Sequence, residues 1–89
     1  MVLIVDYVLS KRFRDYHPLF EALKNNSSQS WHFSDSTWIV NTNLSANEYA
    51  ERLLPYIETT DSLLVVRITR EHQGWLPKEA WDWLNDKQY

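Results

Sequence analysis

The sequence predicts an α+β domain in the order β-α-β-β-α-β, with one four-stranded antiparallel sheet and two helices on one of its faces. Three observations lead there. Apolar, β-branched runs at residues 2–9 and 63–69 read as long strands. Two amphipathic stretches with helix signals lie between them. Alternating apolar residues on either side of Asp35-Ser36 read as a hairpin between those helices.

Each element has its own signal. Residues 2–9 are apolar on both faces except at Asp6, which predicts a central strand packed on both sides. Lys11, Arg12 and Arg14 follow in a loop. A helix begins near Asp15 or His17, with Pro18 in its first turn and Leu19, Phe20 and Leu23 as its stripe. Asn25-Asn26-Ser27-Ser28 ends it. Trp31 and Phe33 alternate in a short second strand over 30–34, and Trp38, Ile39 and Val40 alternate in a third over 37–42. Ser45-Ala46-Asn47-Glu48 is a capping box, preceded by Leu44 as a hydrophobic staple. Tyr49, Leu53 and Tyr56 or Ile57 form the buried stripe of that second helix, which Pro55 stops or kinks. Asp61 opens the fourth strand.

Right-handed crossovers give the spatial order 4-1-3-2, the ferredoxin-like plan, for a core over residues 1–70. They leave one sheet face bare, and its strands are too apolar for water. The C-terminal extension, residues 71–89, carries Trp75, Trp81, Trp83 and Leu84, with Pro77 opening a short helix. It folds over that bare face or over the face of a partner subunit.

Composition narrows the function. Eighty-nine residues make one domain, and five Trp, five Tyr and three Phe offer more aromatic area than one small core needs. No cysteine is present, which excludes disulfides, zinc-thiolate sites and thiol nucleophiles. Gly74 is the sole glycine, which excludes glycine-rich phosphate loops. No apolar run is long enough to span a membrane and no signal-peptide pattern opens the chain, so the expected location is cytoplasmic. A net charge of −3 gives phosphate no global attraction, so nucleic-acid binding requires a local basic patch.

Four short motifs carry a resemblance: Tyr7 with Lys11, Ser36-Thr37-Trp38-Ile39-Val40, Leu44-Ser45-Ala46, and the segment 61–69. Together they make most of residues 1–70 similar to the SinR-like family, related to the small CRISPR-associated ferredoxin-like endoribonuclease subunit. The resemblance implies a homodimer in a mobile-element or defence setting. It also implies a metal-binding, catalytic aspartate directly after the tyrosine that closes the first strand. Val8 stands there, and an isopropyl group offers a divalent cation no oxygen ligand.

The candidate site residues follow. Asp6 is the nearest carboxylate: it is either the catalytic and metal-binding group of a nuclease using Mg2+ or Mn2+, or the partner of Arg67 or of another subunit. Lys11, Arg12 and Arg14, extended by Arg67 and Arg70, form either a nucleic-acid surface or a solvated loop. Trp75, Trp81 and Trp83 either clamp the tail to its own domain or form an interface. His17, His32 and His72 lack metal-ligand spacing, and a triad of Ser34, His32 and Asp35 has no geometric support. The leading expectation is a homodimeric interaction protein without cofactor. A metal-dependent endonuclease acting on RNA or DNA through Asp6 and a non-catalytic nucleic-acid binder are the rivals. Fold alone does not choose among them.

Overall fold

The computed structural model describes residues 1–11 and 14–89. It contains β1 (Val2–Val8), α1 (His17–Asn25), β2 (Gln29–Ser34), β3 (Thr37–Asn41), α2 (Ala46–Leu53), a 3₁₀ turn (Leu54–Tyr56), β4 (Ser62–Ile68) and α3 (Lys78–Asn85). The four strands form one sheet in the order β2-β3-β1-β4, and every neighbouring pair is antiparallel. The architecture is therefore α+β, an open four-stranded antiparallel sheet with three helices, and is consistent with a ferredoxin-like fold in general.

Strand alternation divides the apolar residues between two cores. Leu3, Val5 and Tyr7 of β1, with Trp38 and Val40 of β3, face α1 and α2 and pack on Leu19, Leu23, Tyr49 and Leu53. Local chemistry fixes α2 in place: Ser45 Oγ accepts from the Glu48 N–H at 3.1 Å, and Glu48 Oε1 accepts from the Ser45 N–H at 3.0 Å. Leu44 packs on the same core as Tyr49, as a staple requires. Tyr49 is fully buried and donates its hydroxyl proton to the Leu23 carbonyl at 2.7 Å, which ties α2 to α1.

On the other face, Val2 of β1, Ile39 of β3 and Leu84 of α3 form a second, smaller core flanked by Ile4, Ile68, Leu76, Trp81 and Trp83. The extension thus folds over its own sheet. Its coverage stops halfway along β1. Val8 is 67% exposed and Asp6 is also exposed, so the expected packing of β1 on both sides holds only for its first half.

Candidate interaction surface

Beyond the reach of α3, the second sheet face presents apolar side chains to water. Val8 lies on β1, and Leu64 and Val66, 60% and 44% exposed, lie on β4. Register makes them neighbours: Ile4 pairs with Val66, Asp6 with Leu64, and Val8 with Ser62. Phe33 of β2 is exposed on the far side of this face and meets the Trp31 ring edge-on at 5.5 Å. Three exposed aliphatics on two adjacent strands make a contiguous patch, which marks an interaction site more strongly than scattered ones do. A groove of about 230 Å³ separates α3 from the sheet, lined by Ile4, Ile39, Ile68, Leu76 and Trp81. It is smaller than the roughly 300–1,000 Å³ of ordinary ligand pockets, and we read it as a packing seam.

Asp6 sits within this surface. Its Oδ1 accepts a hydrogen bond from Thr37 Oγ1 at 2.9 Å, across the β1–β3 pair. The expected Asp6–Arg67 ion pair is corrected by the register. Arg67 stands opposite Leu3, three positions from Leu64, and an odd offset puts the two side chains on opposite faces. Among the described residues, no group of three or more His, Asp or Glu side chains is placed to hold a metal ion.

Among the described residues, Lys11, Arg14, Arg67 and Arg70 do not form one patch. Strand β4 runs beside β1 but antiparallel to it, with Val8 level with Ser62 and Val2 level with Ile68. Lys11 and Arg14 therefore follow one end of the sheet, while Arg67 and Arg70 lie at the other, ~20 Å away along the strands. Arg14 is engaged by an ion pair with Glu58 and stacks over the Tyr16 ring at 5.4 Å. Arg70 stacks over the Tyr89 ring, also at 5.4 Å. Arg12 lies outside the described residues.

The tail tryptophans divide. Trp83 packs on Trp31 at 6.1 Å and carries the Lys87 ammonium 4.2 Å from its ring centroid. Trp81 stacks on His72 at 6.3 Å. The Trp81–His72 stack lies within the extension, and both tryptophans clamp the extension to the sheet by packing against the core of Val2 and Ile39. Trp75, 93% exposed, packs in neither core. The other histidines have local roles. His32 stacks on Trp38 at 4.4 Å, and His17 Nε2 lies 3.0 Å from Glu21.

Asp61, placed by the sequence at the start of the fourth strand, has an organising role that the sequence does not show. Asp61 accepts from the Ser10 N–H at 2.7 Å, Ser10 Oγ at 2.9 Å, Tyr16 OH at 3.0 Å and the Glu58 N–H at 2.8 Å. It ties the loop after β1 to the loop before β4. Its one sequence signal is a carboxylate ahead of an apolar strand, which does not reveal partners 45–51 residues away. Burial opposes its charge, but the Ser10 and Tyr16 hydrogen bonds and the Arg14 charge outweigh it and hold the carboxyl below its ordinary value of 3.8. Its contribution is complete above that value and disappears as pH falls through the lowered one. Asp61→Ala is expected to cost about 1–2 kcal/mol at neutral pH and to flatten the acid limb of the stability profile below about pH 4. Urea denaturation from pH 2 to 7 checks this; an unchanged acid limb contradicts it.

No protein-family model, curated protein or solved structure matches this chain.

Proposed function

We propose that this chain is a non-catalytic, cytoplasmic interaction module of ferredoxin-like βαββαβ topology that works as a homodimer. The observation that carries the reading is the apolar patch of Val8, Leu64 and Val66, left bare while the same face is sealed by α3 elsewhere. The mobile-element or defence setting rests on the SinR-like motifs.

The geometry gives the rivals less support. Asp6 has a threonine hydroxyl beside it, where a two-carboxylate metal site needs a second acid. Lys11 has Arg14 near it in sequence, but Arg14 is already paired with Glu58. Nucleic-acid affinity needs several free cations on one surface.

Sedimentation equilibrium on the full chain tests the reading. The expected result is a reversible monomer–dimer equilibrium that strengthens with salt, as apolar association does and phosphate binding does not. Leu64→Lys is expected to shift it at least tenfold toward monomer while leaving the circular dichroism unchanged. A wild-type chain that stays monomeric at high micromolar concentration overturns the homodimer. RNA or DNA cleavage with Mg2+ or Mn2+ that Asp6→Asn abolishes overturns the non-catalytic assignment.

A further inference from the structure

We infer that the second copy docks by strand addition, β4 against β4 across a two-fold axis through Val65, giving one continuous eight-stranded sheet. The inference rests on the homodimer reading above and specifies its interface.

Backbone directions come first. The Tyr7 N–H donates to the Ser36 carbonyl at 3.0 Å, and the Thr42 N–H donates to the Met1 carbonyl at 2.9 Å. Odd-numbered residues of β1 therefore turn their backbone groups toward β3, and even-numbered ones toward β4. Asp6 pairs with Leu64 and Ile4 with Val66, so the even residues of β4 are bonded to β1. The N–H and C=O groups of Leu63, Val65 and Arg67 point out of the sheet, where no strand pairs with them.

The two edges are unlike. On the β2 edge the ladder is broken by an irregularity between His32 and Ser34, a feature that discourages pairing. The β4 edge is seven residues long, keeps an unbroken register with β1, contains no proline and carries one charge, Arg67, next to its end. An apolar edge of that length is a template for another strand.

Symmetry then selects the register. Outward-facing residues must meet outward-facing residues, so odd positions pair with odd positions. Only an axis at Val65 overlaps all seven residues. It sets Leu64 opposite the partner's Val66 and Val66 opposite the partner's Leu64, so the two exposed aliphatics on β4 gain an apolar neighbour, while Val8, one strand in on β1, stays outside the contact. Arg67 falls opposite the partner's Leu63, and the two Arg67 charges end up at opposite ends of the junction. The contact is isologous and closes at two copies.

This arrangement also separates the two Asp6 carboxylates. Three inter-strand steps put them at least ~14 Å apart, too far to share one cation.

The absence of cysteine makes a crosslinking test clean. In the inferred register, positions 64 and 66 of opposite copies form a non-hydrogen-bonded pair with Cα atoms ~4.5 Å apart, within disulfide range. Identical positions lie ~7–8 Å apart on the diagonal. Leu64→Cys and Val66→Cys are purified separately, then oxidised alone and mixed. The expected result is a disulfide-linked dimer at least tenfold more abundant in the mixture than in either variant alone. A wild-type dimer in sedimentation with no such gain overturns strand addition and leaves the homodimer standing. Equal crosslinking in all three samples does the same, since it indicates face-to-face packing. A wild-type monomer with no crosslink in any sample overturns both.

Discussion

Tyr49→Ala is expected to remove most of the stability of this domain. A chain of this length is stable by roughly 4–13 kcal/mol. Tyr49 is fully buried between the helices and the sheet, and truncating a buried aromatic costs about 3–5 kcal/mol through lost burial and a cavity. Tyr49→Phe separates packing from hydrogen bonding. It is expected to cost only about 1 kcal/mol, because the Leu23 carbonyl still accepts from Ser27 Oγ at 2.7 Å. Alkaline titration gives an independent readout. Burial pushes the Tyr49 hydroxyl from 10.0 up to about 12. The folded state holds its proton where the unfolded state releases it, so stability is complete below pH 10 and falls as pH rises toward 12. The phenylalanine variant is expected to show a shallower decline in alkaline urea titrations. Equal slopes in the two proteins contradict this assignment.

Leu84→Asp is expected to release α3 from the sheet. Leu84 is buried against Val2 and Ile39, and an unpaired carboxylate there loses the leucine's burial and adds a desolvation cost, together at least ~3 kcal/mol. Undocking avoids that cost locally, since the larger core of α1, α2 and the opposite sheet face does not include Leu84. The expected outcome is a folded domain whose residues 71–89 become open to protease and whose tryptophan emission shifts to the red. Because Val2, Ile4 and Ile39 become uncovered, the variant is also expected to aggregate. Global unfolding with loss of all β-structure contradicts the view that the extension is a separable cover.

The sequence made the backbone plan legible where chemistry is local. The capping box at Ser45 and Glu48, the polar stop at Asn26 and the turn at Asp35 each depend on residues a few positions apart. The surplus of aromatic area and the excess of apolar strand face were legible too, as composition. What stayed hidden depends on register and direction. The order 4-1-3-2 already put β4 at the sheet's edge, but the sequence did not show that α3 reaches only part of the second face and leaves Leu64 and Val66 exposed. The Asp6–Arg67 pair and the joined basic patch required knowing that antiparallel β4 carries Arg67 away from Lys11 and onto the other face. The role of Asp61 required loops that are adjacent only after folding.

The most direct measurement on the inferred interface is amide hydrogen exchange along β4 at low and high protein concentration. In the monomer, the Leu64 and Val66 amides are already bonded to β1, whereas those of Leu63, Val65 and Arg67 face the open edge. Strand addition predicts that the three odd-numbered amides slow at least tenfold as concentration rises, with the even-numbered ones little changed. Odd-numbered amides that exchange equally fast at every concentration, in a protein that sediments as a dimer, contradict it.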